Sequence, residues 1–293
     1  MSGGPAFVPL VLGAGGMLGR AVVQVLDRAF PGTVSATRAE VDVTDRFRLE
    51  SELERLRPDV VINCAAYTDV DGCETDPGRA RRVNVEGAEN AASAASAAGC
   101  PIVHISTDFV FDGRKNAPYT EEDAPAPLSE YGRSKRAGEE RVAAVAADHL
   151  IVRTSWSYGA GRAHFVDAIR SRAANGGPLK VVDDQFGSPT YVVDLARALY
   201  HLILREARGL VHFANAGICS RHDMAGLILR TCGFHDVPLV PIPMSDAGRI
   251  AVRPSYSALD TSRYTRLTGE TPRPWQEALI EYLRDGPGAA AGA

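Results

Sequence analysis

Lysine is nearly absent from this chain. Of its 32 basic residues only Lys115, Lys135 and Lys180 are lysine, so a lysine at a defined spacing from another reactive side chain calls for an explanation. Cysteine is scarce as well. Cys64, Cys73, Cys100, Cys219 and Cys232 form an odd, dispersed set without a C-x-x-C pair, which argues against a disulfide framework or a zinc site and for a reduced, cytoplasmic setting. No uncharged apolar run is long enough to span a bilayer. The opening Met1-Ser-Gly-Gly-Pro-Ala lacks the basic-then-apolar pattern of a secretory signal. A net charge of −4, with arginines scattered apart from Arg81–Arg82, gives no reason to expect nucleic acid or a membrane as partner. Nothing supplies a metal-ligand constellation, and no metal is expected.

What is present is ordinary globular composition, 45% apolar and 23% charged over 293 residues, enough for one large or two moderate domains. Short apolar runs alternate with longer amphipathic ones in the first half. Strands are expected at 9–12, 33–36, 59–63, 101–106 and 150–153. Helices are expected at 17–30, 45–56 (capped by Thr44 or Asp45), 76–98 (ending at Gly99) and 129–147. This alternation implies an α/β fold, a doubly wound parallel sheet with helices on both faces, whose ligands bind beyond the carboxyl ends of the strands. A helix at 192–206 and a strand at 210–213 are expected to return to that sheet. The looser remainder reads as a smaller α/β lobe over the strand ends. The expected division is 1–154 with 187–217 for the nucleotide-binding domain and 155–186 with 218–285 for the substrate lobe. The Gly/Ala/Pro run 286–293 is expected to be a disordered tail.

Gly13-Ala-Gly-Gly16-Met-Leu-Gly19 joins the first strand to the first helix. Glycines there let the backbone turn sharply and approach a pyrophosphate at the helix N-terminus, with Gly13, Gly16, Met17 and Leu18 as the expected contacts; a turn without a ligand is the plainer reading. No acid ends the second strand to hold a ribose diol. Arg38 stands there instead, suited to a 2′-phosphate, so NADPH is favoured and NADH is possible; a plain surface arginine explains it nearly as well. Asp42 and Val43 either edge an adenine ring or make a turn. Ala65, Ala66 and Tyr67 follow the third strand, where small side chains suit a passing dinucleotide or simply tight packing. Asn84 sits inside a helix, where it is unfavourable, and either braces the lysine or marks an irregularity.

Ser106–Thr107 ends the fourth strand, and Tyr131-x-x-x-Lys135 follows on a helix. Chance alone puts Tyr-x-x-x-Lys in about one shuffled chain in ten of this composition, but its place after a Ser/Thr strand end is more telling. Residues four apart share a helix face. An ammonium near a phenol favours the phenolate and lowers a pKa that starts near ~10, so Tyr131 is expected to donate a proton to an oxyanion, Thr107 to bond the carbonyl oxygen, and Lys135 to hold ribose hydroxyls. Arg253 suits either a diphosphate or a structural salt bridge.

With these residues the chain resembles the extended short-chain dehydrogenase/reductases, a Rossmann-type family. The runs Asn63-x-Ala-Ala-Tyr-Thr-x-Val-Asp71, Ser106-Thr-Asp-Phe-Val-Phe-Asp-Gly113, Arg153-Thr-Ser-Trp156, Asp184-Gln-Phe-Gly-Ser-Pro-Thr190 and Arg253-Pro-x-x-Ser257-x-Leu-Asp260 narrow this to the dTDP-4-dehydrorhamnose reductases over roughly residues 8–284. The resemblance implies reduction of the C4 keto group of a dTDP-linked 6-deoxyhexose, with Thr107, Tyr131 and Lys135 catalytic. It also implies that Thr68, Val70 and Trp156 contact the sugar; the flat apolar face of Trp156 suits a hexose ring, while a lone aromatic more often packs in the core. Some members of the family hold magnesium between subunits, but the acids for it are not found here, and the expected assembly is a monomer or homodimer. Two competing readings stand beside this one. One is a reductase of another nucleotide-linked 4-keto sugar; the other is a non-catalytic NADP-binding subunit similar to the regulatory subunit of methionine adenosyltransferase.

Overall fold

A computed structural model describes residues 7–285; the expected tail at 286–293 lies outside the described residues. Six strands, β1 (Pro9–Leu12), β2 (Val34–Ala36), β3 (Val60–Asn63), β4 (Ile102–Thr107), β5 (His149–Thr154) and β6 (Gly209–His212), form one parallel sheet in the order β6-β5-β4-β3-β1-β2. Both faces of the sheet are covered, which is why its strands read as unbroken apolar runs rather than as alternating ones. In β1, Val11 joins one buried cluster while Leu10 and Leu12 join the other.

The longer helices are α1 (Met17–Ala29), α2 (Arg46–Leu56), α3 (Gly87–Ala97), α4 (Glu130–Val145), α5 (Phe165–Ala174), α6 (Val192–Leu204), α7 (Arg221–Thr231) and α8 (Trp275–Asp285). Helices α1 and α6 pack on one face of the sheet through Ala21, Val22, Leu26, Leu195 and Leu199. Helices α2, α3 and α4 cover the other through Leu49, Leu53, Ala91, Ala95 and Val142. A third cluster joins α5, α7 and α8 around Trp156, Ile169, Ile228, Trp275 and Leu279. Asp45, of the two candidate caps, closes α2 by accepting from the Arg48 amide. The single helix expected over 76–98 is interrupted: Pro77–Arg81 and α3 are α-helical, and Arg82–Glu86 between them is a π-turn holding Asn84.

Helix α4 packs closely against the turn that follows β4 and against the π-turn at Asn84. A Cβ on Gly132 would lie 2.2 Å from the Phe109 carbonyl, and one on Gly138 would lie 2.2 Å from that of Asn84. Beside Gly138, Glu139 takes a two-pronged bond from Arg153 of β5, at 2.8 and 2.7 Å, with both side chains at most 2% exposed. Burial opposes ionisation of Glu139, but Arg153's hydrogen bonds and charge outweigh it and hold the carboxyl below its usual range. Removing one partner of such a pair strands a buried charge and typically costs about 3–5 kcal/mol.

Glu139→Ala is therefore expected to lower the free energy of urea unfolding by about 3–5 kcal/mol. Glu50→Ala, which breaks the exposed Arg46–Glu50 pair of α2, should cost less than about 1 kcal/mol. Because the Glu139 value is depressed on folding, its contribution is complete above the range where a free glutamate ionises and fades as pH falls through the folded-state value. The difference between wild type and Glu139→Ala should shrink in acid accordingly.

Candidate active site

The strand order reverses between β1 and β3: the chain steps out to β2 and returns on the other side of β1. Such a switch point opens a crevice at the carboxyl ends of the strands. Two adjoining hollows occupy it here. One, of about 220 Å³, is lined by Gly13, Arg38, Asp42, Val43, Ala65 and Tyr67. The other, of about 540 Å³, is lined by Met17, Leu18, Thr68, Val70, Thr107, Tyr131, Lys135, Trp156 and Arg221. Gly15, Gly16, Cys64 and Ala66 line both, so they form one elongated cleft.

In the first half, Gly13 adopts a left-handed φ of 73°, and a Cβ there would stand 2.7 Å from the Ala65 amide nitrogen. Only glycine lets this turn pass so close to the end of β3. Gly16 begins α1 with no side-chain cap, which leaves amides of the first turn free for an anion. Arg38 is 71% exposed, and its Nε donates to Asp42 at 3.0 Å. The other oxygen of Asp42 accepts from the Thr44 amide and hydroxyl, so Asp42 both lines the hollow and closes a turn. These features fit a dinucleotide with a 2′-phosphate.

Asn84 makes its direct hydrogen bonds to Tyr67 and Ser134. Its Oδ1 accepts from the Tyr67 amide, and its Nδ2 donates to the Tyr67 carbonyl and the Ser134 hydroxyl. The π-turn thus ties the cleft edge at Tyr67 to the residue preceding the lysine.

In the second half, Thr107 Oγ1 donates to Asp108 and accepts from the Phe109 amide. Tyr131 meets Phe109 edge-on, with ring centroids 5.7 Å apart. Burial pushes the Tyr131 phenol up, the reverse of the expected lysine effect; Asp108 adds to this, and a hydrogen bond with Thr107 works against it. The reason is where the ammonium points. Lys135 Nζ donates to the Ile105 carbonyl at 2.7 Å and lies 3.4 Å from His104 Nε2.

His104 is itself oriented. Asn63 Oδ1 accepts from the Ala65 amide, so Asn63 Nδ2 faces His104 Nδ1 at 3.2 Å and donates to it. The proton of a neutral ring then sits on Nε2, facing the lysine. Burial, with the Lys135 charge adding to it, keeps His104 well below its ordinary value and therefore neutral. Lys135 is only 2% exposed, and burial pulls it down to about 8, against the attraction of Glu139 and Cys64.

On the substrate side, Thr68 Oγ1 accepts from Arg162 at 2.7 Å across the cleft mouth. Trp156 has a left-handed φ of 45°, a strained backbone of the kind that collects at functional sites. Its ring is not an open platform, because the Arg221 guanidinium covers it 3.4 Å from the centroid. Arg253 is outside the cleft wall and is gripped by Asp71 at 3.2 and 3.0 Å, the structural salt bridge of its two readings. Asp108, Glu139, His104 and Arg221 were not singled out as site residues from sequence. A signal existed for Glu139, which continues the four-residue spacing from Tyr131 and Lys135, and for Asp108 beside Thr107. Nothing distinguishes Arg221 from the other arginines. Among the described residues no group of three or more His, Cys, Asp or Glu side chains could hold a metal ion. No helix among them is long and apolar enough to cross a membrane.

A family model described as the RmlD substrate binding domain matches residues 9–286. The chain is 42% identical over 281 residues to a dTDP-4-dehydrorhamnose reductase of Mycobacterium tuberculosis, covering 94% of this chain and 91% of that one. It is 36% identical to a dTDP-4-keto-6-deoxy-D-glucose reductase of Streptomyces niveus, covering 93% and 95% of the two chains. Among solved structures, a dTDP-4-dehydrorhamnose reductase from Bacillus anthracis in complex with NADP superposes with a TM-score of 0.92 at 34% identity, covering 96% of this chain and 99% of that one.

With three lysines in the chain, the state of Lys135 is directly readable. In cofactor-free protein carrying ¹⁵N-labelled lysine, the Nζ signal that vanishes in Lys135→Met should titrate near pH 8. Burial disfavours the ammonium, so the charge is lost as pH rises through that value. A midpoint above about 10, the ordinary lysine range, would contradict the buried seating of Lys135.

Proposed function

The chain belongs to the RmlD substrate binding domain family, and on that premise we propose that it reduces the C4 carbonyl of dTDP-4-dehydro-L-rhamnose to dTDP-L-rhamnose, with NADPH as reductant. One observation carries the reading. Thr107, Tyr131 and Lys135 line the same hollow that the glycine turn and the start of α1 open into.

The amides of Met17 and Leu18 would hold the cofactor phosphates, with Gly13 and Gly16, whose amide donates to the Gly13 carbonyl, giving the close approach. Arg38 would hold the 2′-phosphate, and Asp42, Val43, Ala65, Ala66 and Tyr67 the adenosine side. Bound there, the nicotinamide supplies the hydride for the carbonyl carbon. Thr107 orients the carbonyl oxygen, and Tyr131 passes its phenolic proton to that oxygen as negative charge develops. Burial keeps the Tyr131 phenol protonated in the ligand-free cleft, so the proton to be given is in place. Lys135 holds the ribose hydroxyls while its charge lasts, and Tyr131 regains a proton from water. Thr68, Val70 and Trp156 bound the sugar, with residues 155–186 and 218–285 as the substrate lobe. Arg253 is held by Asp71, the structural one of its two readings. A cytoplasmic setting suits the free cysteines.

A second reading, reduction of another nucleotide-linked 4-keto sugar, is favoured by the similarity to the Streptomyces niveus enzyme, which is named for a different sugar. Cofactor oxidation measured with dTDP-4-dehydro-L-rhamnose and with dTDP-4-keto-6-deoxy-D-glucose separates the two. In either case Tyr131→Phe should lower kcat by about 10²–10⁴-fold and leave NADPH affinity intact; unchanged turnover would refute the assigned proton donor. Arg38→Ala should weaken NADPH about 10-fold or more, as loss of a charge-assisted contact implies, and leave NADH nearly unaffected. Equal losses for both cofactors would remove Arg38 from the 2′-phosphate.

A further inference from the structure

Three cations reach the reactive half of the cleft. Lys135 is bonded to the Ile105 carbonyl and Arg162 to the Thr68 hydroxyl. The third, Arg221, makes no side-chain hydrogen bond or ion pair among the described residues. It opens α7 directly after Ser220, and a reciprocal Ser220–Asp223 capping box fixes the backbone there. Its guanidinium lies face-on to Trp156 at 3.4 Å and 5.1 Å from the Phe165 ring. Stacking of this kind covers the face of a guanidinium and leaves its in-plane N–H fork free to donate. Burial pulls Arg221 down to about 10, with Asp108 partly opposing, so it is charged at neutral pH. Asp108 makes no ion-pair contact with it; its two oxygens accept from Thr107 and Ser257 at 3.1 and 2.5 Å. A half-buried cation without a bonded anion is costly, and its placement on the cleft wall opens it to an anion carried by a ligand.

We propose that Arg221 is the diphosphate anchor of the substrate nucleotide and a determinant of its affinity. This deepens the reading above and rests on it. The cofactor's phosphates have their own place at the start of α1, whereas Arg221 enters from α7 beside Trp156. A pyranose with C4 at Thr107 and Tyr131 directs C1, on the opposite side of the ring, away from the reacting centre, and C1 carries the diphosphate. Sugar hydroxyls would leave the charge on Arg221 uncompensated; a diphosphate neutralises it.

The test is calorimetric titration of NADP⁺-saturated protein with dTDP and with thymidine, in wild type, Arg221→Gln and Arg221→Lys. Arg221→Gln should weaken dTDP about 10- to 100-fold, the range for a lost charge-assisted contact, and leave thymidine and NADPH binding unchanged. Arg221→Lys, which keeps the charge and loses the fork, should fall between. It also serves as the test should the Gln variant fail to fold, an unchanged dTDP affinity then overturning the proposal. Equal dTDP affinity in wild type and Arg221→Gln overturns it, as does a parallel loss of NADPH affinity or a wild type that binds no dTDP. A higher KM for the 4-keto sugar with dTDP affinity unchanged also overturns it, by assigning Arg221 to the hexose. If dTDP binding depends on Arg221 but no 4-keto sugar nucleotide is reduced, the anchor stands and the reductase reading fails.

Discussion

Everything chemical in this cleft depends on how α4 is held against the sheet. Tyr131, Lys135 and Glu139 recur at four-residue spacing and so share one face of the helix. The lowest of them is bonded to Arg153 of β5 from inside the core. Glycines 132 and 138 let the helix backbone settle where any side chain would collide with the Phe109 and Asn84 carbonyls. The ion pair ties the stripe to β5, and the glycines set the distance of α4 from the turn after β4 and from the π-turn at Asn84. A buried pair of this sort is weak evidence for net stability compared with an apolar substitute. Its effect is on position: the guanidinium fork accepts one arrangement of the carboxylate, and Lys135 one turn away is carried to the Ile105 carbonyl.

That seating also explains the electrostatics. Burial raises Tyr131 and lowers Lys135, one cause acting with opposite sign on an acid that is neutral when protonated and a base that is charged when protonated. Both shifts move toward uncharged side chains in the absence of ligands. Asn63 and His104 act in the same direction by turning a ring N–H toward the lysine. The site is thus a low-dielectric pocket that disfavours charge on either side chain until a partner enters.

Much of this was legible in the sequence, and the exceptions have a common cause. Elements whose identity lies in local periodicity, such as Pro9–Leu12, Met17–Ala29 and Glu130–Val145, fall within a few residues of expectation. The glycine turn and the Tyr131/Lys135 spacing are local patterns too, and both meet in one cleft. What escaped is set by partners far along the chain. The π-turn at Asn84 exists because that side chain serves Tyr67 and Ser134, 17 and 50 residues away. Arg253 is claimed by Asp71 across 182 residues, and the Trp156 face is covered by Arg221. The direction of the Tyr131 shift was misjudged because spacing on a helix shows which residues share a face, not which way a flexible ammonium points.

The same division bears on how specificity and chemistry are separated in this molecule. The proton donor, the cation and the groups that orient them come from β3, β4 and α4, inside the sheet and its packed helices. The residues proposed to bound the substrate come from elsewhere: Thr68 after β3, Trp156 after β5, and Arg221 at the start of α7. Asp71 ties the segment that follows β3 to residues 249–253 through the Ala251 amide, the Arg253 fork and an ion pair with Arg249. Changes at 68, 156 or 221 can alter which hexose or which nucleotide is held without disturbing the Glu139–Arg153 anchor or the Lys135 environment. A family that keeps one reduction and varies its sugar requires that independence, and here it is built into which elements carry which residues.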